Sequence, residues 1–406
     1  MYNPGLSYED NYRNGPFAEW CYVRAEDRPD RQVTGFPELR YVGPPLFTFL
    51  GEPVHLPLGV PAGPLLGSRY LEVAWRAGLG VCTYKTVRSR RWPSHSHPNV
   101  LAVSAATPWL TPTQPLPLVE ARPVGVADIV EPLRRGALSI SNSFGVPSWD
   151  PDEWQRDVAR AARIQVAMAE EHPGLAHRVL VLSFQGTRPA EGAGLGQPAD
   201  PFEAFVGDAL LAQRLAGSTV QVLEINLSCP NERGAPLFTD VAASLRLLES
   251  LRRDRPPGVR LIVKLGSLPL QETVDFVAGA KGLVDGISAI NTVSARILTP
   301  EGQRALGSGD ESGGVCGRLI LEANLKMMAH LVEARERAGL GPDSLTLVSV
   351  GGIHDVASFE AARAAGADHI QAATACMWGL DLAADVATAL GVPFERRVVA
   401  ASPLEF

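Results

Sequence analysis

Residues 224 to 231 read Glu-Ile-Asn-Leu-Ser-Cys-Pro-Asn, where the apolar run Val220 to Ile225 gives way to polar side chains. Such a run is buried along its length, so the polar groups that end it mark where a strand reaches a surface. Asn226 and Asn231 flank Cys229, and each amide offers both a donor and an acceptor, which suits a flat ligand with alternating C=O and N–H groups. Cys229 acts as a base or nucleophile if its thiolate is stabilised, and as a small packing hydrophobe if its surroundings are apolar. On its own the octet favours packing.

Two lysines also interrupt apolar runs. Lys264 sits in Leu-Ile-Val-Lys-Leu-Gly and Lys85 in Val-Cys-Thr-Tyr-Lys-Thr. A cation emerging from a buried strand needs an anionic or strongly polar partner, because desolvation is otherwise too costly. A bound ligand can supply that partner, so the pair points to a site. Three stretches in the later half, the glycine pairs in Ser312-Gly313-Gly314 and Val350-Gly351-Gly352-Ile353 and the segment Ala373-Thr374-Ala375, offer backbone N–H groups of the kind that hold a phosphorylated cofactor.

These residues follow the ends of short apolar or β-branched runs. Nine such runs can be marked: Leu56 to Val60, Val81 to Thr86, Ala137 to Ser141, Val179 to Phe184, Val220 to Ile225, Arg260 to Leu265, Gly286 to Ile290, Thr346 to Val350 and Asp368 to Ala372. Most alternate with helical stretches at Tyr70 to Ala77, Glu153 to Glu171, Ala204 to Ala212, Ala242 to Arg253, Leu270 to Ala280, Arg318 to Ala338 and Ala357 to Ala365. Strand–helix alternation over this length predicts an α/β fold, a TIM (β/α)8 barrel with an N-terminal extension and inserted loops. One run must then lie outside the barrel. Ala137 to Ser141 is that run, because the proline-rich insertion Pro108 to Pro132 precedes it and breaks the rhythm.

The expected organisation is an arm over 1–50, a barrel over 51–390 with insertions near 101–136 and 186–203, and a C-terminal tail over 391–406. The arm has prolines, aromatics and charges without a period, and reads as a wrap on the barrel or a subunit contact. It carries no functional signal. Segment Gly186 to Pro201 reads as a surface loop or a lid.

Composition narrows the function classes. Hydrophobic residues make up 46% of 406, enough for a large core, and the formal net charge of -7 with no long basic run points away from nucleic acid. Five scattered cysteines contain no Cys-x-x-Cys pair, which argues against disulfides and iron–sulfur clusters. No stretch nears the roughly 18 apolar residues of a membrane span, and Met1 to Asp10 lacks a leader's basic and apolar regions. A cytoplasmic protein with no integral membrane segment is expected. His95 and His97 read as a polar loop rather than metal ligands, and no metal is expected. Cys82 and Cys376 read as packing residues, Cys316 as a neighbour of the phosphate loop, and Trp92, Trp149 and Trp378 as core or interface anchors.

The ordered set resembles the dihydroorotate dehydrogenase family, FMN-dependent barrels that oxidise dihydroorotate to orotate in pyrimidine biosynthesis. The resemblance runs from about Leu56 to Leu380. It rests on Asn142-Ser143-Phe144-Gly145-Val146-Pro147, Asn226-Leu227-Ser228-Cys229-Pro230-Asn231, Val263-Lys264, Asn291-Thr292, Ser312-Gly313-Gly314, Val350-Gly351-Gly352 and Thr374-Ala375. It implies that Asn142, Asn226, Asn231 and Asn291 hold the pyrimidine ring and its carboxylate, with Thr292, Lys85, Phe144, Gly145 and Val146 beside them. Cys229 takes the place of the catalytic base, with Lys85 also in the catalytic set, and flavin N5 takes the hydride. Lys264 is placed near flavin N1 and the C2 carbonyl, where its charge stabilises the reduced cofactor. The remaining cofactor set is Ala62, Gly63, Lys85, Thr86, Asn142, Ser183, Asn226, Asn291, Gly313, Gly314, Gly351, Gly352, Ala373 and Thr374.

A cysteine base is the pattern of the family's soluble class, and a small-molecule substrate and a homodimer are expected with it. Phe144, Leu227 and Ser148 depart from close relatives, and Ala373 replaces the usual glycine before Thr374. Alternative readings are an FMN enzyme for another dihydropyrimidine, a tRNA-dihydrouridine synthase-like enzyme, and a non-catalytic flavin-binding barrel. The acidic balance and the absence of a basic C-terminal module weigh against the RNA reading. Retention of Lys264, Cys229 and the phosphate glycines weighs against a degenerate barrel.

Overall fold

The computed structural model of the chain describes residues 1–24, 32–186, 220–227 and 239–399. Eight parallel strands close into one barrel: β1 (Leu58–Val60), β2 (Val81–Val87), β3 (Val179–Phe184), β4 (Val222–Asn226), β5 (Arg260–Leu265), β6 (Gly286–Ala289), β7 (Thr346–Val350) and β8 (His369–Gln371). Each strand pairs with the next in sequence, and β3 pairs back to β2 across the long excursion that separates them. These are the marked runs with Ala137 to Ser141 left out. The predicted helix over Ala204 to Ala212 and most of the 186–203 insertion lie outside the described residues.

The strands form where sequence demands burial on both faces. In β2 all seven residues are buried, and in β4 all five. Side chains alternate, so one set packs outward against helices and the other fills the interior. The helix Leu270–Ala280 shows the matching pattern, with Thr273, Phe276, Val277 and Ala280 buried at helical spacing along one stripe.

Inside the barrel, Val81, Val179, Val222, Ile262 and Val348 form an apolar layer near the strands' amino ends. Phe49 and Val54, from the hairpin Phe47–Phe49 and Glu52–Val54, pack into that layer and close the barrel from below. The arm thus supplies the barrel's floor. Its strand Phe36–Tyr41 pairs antiparallel with Phe394–Val399, joining the two ends of the described chain.

The 101–136 insertion has more order than a proline-rich loop suggests. Its strands Ala102–Ser104 and Leu118–Arg122 join Ser139–Asn142, Val293–Leu298 and Ser312–Gly317 in a second, five-stranded closed sheet, and the helix Val126–Arg134 follows. Asn142 pairs with Gly314 and Ser294 in turn pairs with Gly314, so the small sheet draws residues far apart in sequence over the barrel's carboxyl-end mouth.

His369 on β8 is fully buried, its ring centroid 4.7 Å from that of Phe49, and neither ring nitrogen has a partner among the described residues. Burial pushes its pKa down to about 3, so the native state refuses a proton that the unfolded chain accepts below about 6.5. His55 is held down to about 4, by burial first and then by the charges of Arg178 and His177. With folded values depressed, their stabilising contribution is full above pH 6.5 and is lost as pH falls, toward 4 for His55 and toward 3 for His369, the buried His369 losing about 1.4 kcal/mol per pH unit within its window. We expect the denaturant midpoint to fall on acidification from pH 7 to pH 4. His369→Leu should flatten that dependence, and an unchanged slope in the variant would show that His369 plays no part in it.

Candidate active site

One cavity, enclosing about 1120 Å³ of empty space with its open mouth, lies where the barrel strands end. Ala62 and Gly63 after β1, Lys85 and Thr86 in β2, Asn226 in β4, Lys264 in β5, Asn291 and Thr292 after β6, Gly351 and Gly352 after β7, and Ala373 and Thr374 after β8 all line it. Asn142, Phe144, Gly145 and Val146 reach it from the small sheet. Cys229 and Asn231 lie outside the described residues.

Strand alternation explains why the polar groups point inward. Val222 belongs to the interior layer, so Glu224 and Asn226, two and four residues on, share its face; Ile262 does the same for Lys264. Asn226 and Lys264 are direct register partners and are only 6% and 4% exposed. Lys264 has no anionic partner within ion-pair distance among the described residues. The Asn226 amide is oriented from behind, its Nδ2 donating to Gln185 Oε1 at 3.0 Å. Asn291 Oδ1 accepts from the Thr292 backbone N–H at 3.0 Å, a local turn that fixes both residues as β6 passes into the small sheet.

Three members of the expected cofactor set stand behind the wall rather than in it. Ser183 is fully buried and its hydroxyl lies 3.0 Å from Thr86 Oγ1, so it supports the residue that lines the cavity. A Cβ on Gly314 would sit 2.3 Å from Thr292 Oγ1, and one on Gly313 would press on Leu306 at 3.0 Å. These glycines allow Thr292 to approach; they do not face the ligand space. The Thr292 hydroxyl itself is buried without a partner among the described residues.

The far end has the features of an anion cradle. Gly351 and Gly352 have φ of 130° and 77°, and a Cβ on Gly352 would meet the Leu321 backbone nitrogen at 2.7 Å. The loop is thus wedged against the start of the helix Leu321–Arg337, and only glycine fits. Thr374 Oγ1 is buried with no regular hydrogen-bond partner, its polar neighbour being the Cys316 thiol, which burial pushes up to about 11. His354, also in the lining, bridges Gly352 O at 2.7 Å and Leu138 O at 2.8 Å, tying the glycine loop to the small sheet. Its pKa is lowered, chiefly by burial.

Some residues in or behind the cavity wall were not assigned to it from sequence. Tyr8, from the arm, lines the cavity, and Tyr2 and Tyr8 both meet Phe144 edge-on with centroids 6.0 and 6.1 Å apart. Gln185 follows β3, and nothing in the sequence pairs it with Asn226. His95 supports the cavity wall from behind: its Nδ1 lies 3.1 Å from Ser143 O, and Gly145 packs so closely that a Cβ there would stand 3.0 Å from His95 Nε2. His97 Nε2 is 3.0 Å from Pro4 O. Among the described residues no three His, Cys, Asp or Glu side chains gather as a metal site, and no helix is long and apolar enough to cross a membrane.

The arrangement can hold a flat, hydrogen-bonding ligand among amides and a buried ammonium, with an anionic group at the glycine loop. Residues 203–391 match the model of the family described as dihydroorotate dehydrogenase. A dihydroorotate dehydrogenase of Dictyostelium discoideum is 28% identical over 385 residues, 93% of this chain and 94% of that protein. Proteins named dihydroorotate dehydrogenase (quinone) from Arthrobacter sp. and Nocardioides sp. are 29% and 35% identical over 54% and 47% of this chain. The aligned part spans little more than half of those two relatives, 58% and 55%. The solved structure of DHODH from Eimeria tenella in complex with ferulenol superposes with a TM-score of 0.58 over 85% of this chain and 82% of that one, at 18% identity, a likeness of fold. Fold, ordered motifs and relatives point the same way, to a likeness with the dihydroorotate dehydrogenase family.

Proposed function

We propose that the protein oxidises dihydroorotate to orotate with FMN, and that Asn142, Asn226, Asn291 and Thr292 hold the substrate. The observation that carries this reading is the convergence of Lys85, Lys264 and three asparagines at one end of a cavity whose other end is a loop that admits only glycine. The cavity's own chemistry fits FMN: a Thr292 hydroxyl buried without a partner among the described residues, a Thr374 hydroxyl whose polar neighbour is only the Cys316 thiol among them, a Lys264 ammonium with no ion pair among them, and the wedged Gly351-Gly352 turn. Ala62, Gly63, Lys264, Gly351, Gly352 and Thr374 are the residues that would hold it. When bound, FMN supplies the hydride acceptor that no side chain provides.

The chain's residues do the rest. The amides fix the ring, with Asn226 preset by Gln185, so that orientation is established before reaction. Cys229, placed by its motif after β4, takes the proton from the carbon beside the substrate carbonyl. Lys264 provides positive charge in a site from which water is largely excluded, where charge acts strongly. A cysteine base, a cytoplasmic location and a homodimer belong to the same reading, supported by the Cys229 motif and the acidic composition. Since two relatives carry quinone in their names, quinone joins fumarate and NAD as acceptors to be compared.

Purified protein should be yellow and release FMN on denaturation. Anaerobic dihydroorotate should bleach it, whereas dihydrouracil and dihydrouridine should not. Colourless protein, or bleaching by any dihydropyrimidine alike, would overturn the assignment. Gly352→Ala tests the cradle: its Cβ forces the loop off Leu321, and we expect FMN to dissociate at least about tenfold more readily, equivalent to about 1.4 kcal/mol. Unchanged FMN affinity in this variant would move the phosphate elsewhere.

A further inference from the structure

The arm over the first residues is built into the cavity wall, and its fixation is unusual for a chain end. The helix Tyr8–Asn14 is capped by Ser7, whose side chain accepts from the Asp10 N–H. Asn11 Nδ2 donates to Asn3 O and Ser7 O, each at 2.9 Å, and Asn11 O accepts from the Tyr70 hydroxyl at 2.8 Å. Arg69 donates to Tyr12 O and Arg13 O at 2.6 Å. Tyr70 and Arg69 sit on the helix Ser68–Arg76, so the arm is pinned to the barrel, and Tyr8 at its head is held in one place.

Tyr8 is 3% exposed and lines the cavity, with its ring against Phe144, two residues after Asn142. Three other buried tyrosines spend their hydroxyls inside the protein, Tyr41 donating to Gly78 O at 2.7 Å, Tyr70 to Asn11 O at 2.8 Å and Tyr84 to Asp157 at 2.8 Å, whereas Tyr2 and Tyr22, buried away from the cavity lining, show no such bond among the described residues. The Tyr8 hydroxyl has no such acceptor among the described residues. That hydroxyl is not one of the fully enclosed unpartnered polar atoms, so it keeps access to the open space of the cavity, where a ligand would meet it. An oxygen of the bound ligand is the acceptor that the cavity can provide.

We propose that Tyr8 is a substrate-contacting residue, its hydroxyl donating a hydrogen bond to a carbonyl or carboxylate oxygen of the dihydropyrimidine, so that the N-terminal arm helps set substrate affinity. This rests on the functional reading above. Burial holds the phenol well above its ordinary pKa, which keeps it a neutral donor across the working pH range. The contact comes from the side of the small sheet and adds to what the barrel's amides supply.

Tyr8→Phe separates this from a packing role, because it removes one oxygen that has no protein acceptor and keeps the ring on Phe144. Orotate affinity by calorimetry, KM and kcat for dihydroorotate, FMN content and Tm are measured for wild type and variant together. The expected result is orotate binding and KM weakened by about 3- to 30-fold, the range of one lost hydrogen bond to a neutral or charged acceptor. FMN content should stay equal and Tm should stay the same or rise. Unchanged orotate affinity in the variant, beside a wild type that binds, overturns the Tyr8 assignment alone. So does a fall in Tm and FMN content that accounts for the weakened binding. A wild type that does not bind orotate overturns the functional reading, and the Tyr8 contact with it.

Discussion

Replacing Cys229 by alanine should leave FMN bound and slow its reduction by dihydroorotate by about 10²- to 10⁴-fold at neutral pH, the usual worth of a general base. The glycine loop and Thr374, which would hold the cofactor, are supplied by β7 and β8, whereas Cys229 follows β4 in sequence, so base and cofactor retention should separate. The wild-type reduction rate should rise with pH as the thiol ionises, since the thiolate is the base, and that rise should be missing from the alanine variant. Serine at the position should restore part of the rate, at higher pH. Turnover like that of the wild type in Cys229→Ala would remove this residue from the mechanism.

Lys264→Ala should act on the cofactor's electron affinity. Lys264 is 4% exposed, and its charge has no protein anion within ion-pair distance among the described residues, so its field falls on whatever occupies the cavity. Losing a preorganised charge of this kind costs about 10²- to 10³-fold in rate. We expect the reduction rate to fall by that factor and the FMN potential to become more negative. Lys264→Met, which keeps most of the side-chain volume, should behave like alanine; if it behaves like wild type, packing and not charge is the residue's contribution. Unchanged FMN content together with an unchanged rate in Lys264→Ala would contradict the role.

The barrel was legible because its signal is local and repeated. Each parallel strand must be apolar on both faces, and most of the runs alternate with stretches of helical period, so eight short segments could be placed and the ninth, Ala137 to Ser141, set aside. Residues at strand ends inherit that clarity. Lys85, Asn226 and Lys264 stood out because a polar side chain inside a buried run is conspicuous, and all three face the cavity.

What was not legible depends on contacts between distant segments. Leu118–Arg122 alternates buried and exposed over five residues, too short to distinguish from a loop until Val293–Leu298 is seen to pair with it. The arm has no period because it has no repeating environment: Phe49 enters the barrel's floor, Phe36–Tyr41 meets the far end of the chain, and Tyr8 reaches the site. Ser183 looked like a cofactor residue because it ends a strand, but pairing of β3 with β2 shifts register between Leu182 and Phe184, and its hydroxyl meets Thr86 instead. Gly313 and Gly314 were read as a ligand surface, whereas their small size serves Leu306 and Thr292.

The most direct test of the account is an anaerobic single turnover. Enzyme-bound FMN mixed with excess dihydroorotate, with no acceptor present, should bleach in one phase and yield one orotate per FMN. Full bleaching without orotate, or no bleaching at all by a flavin-loaded protein, would contradict the assignment of this cavity to dihydroorotate oxidation.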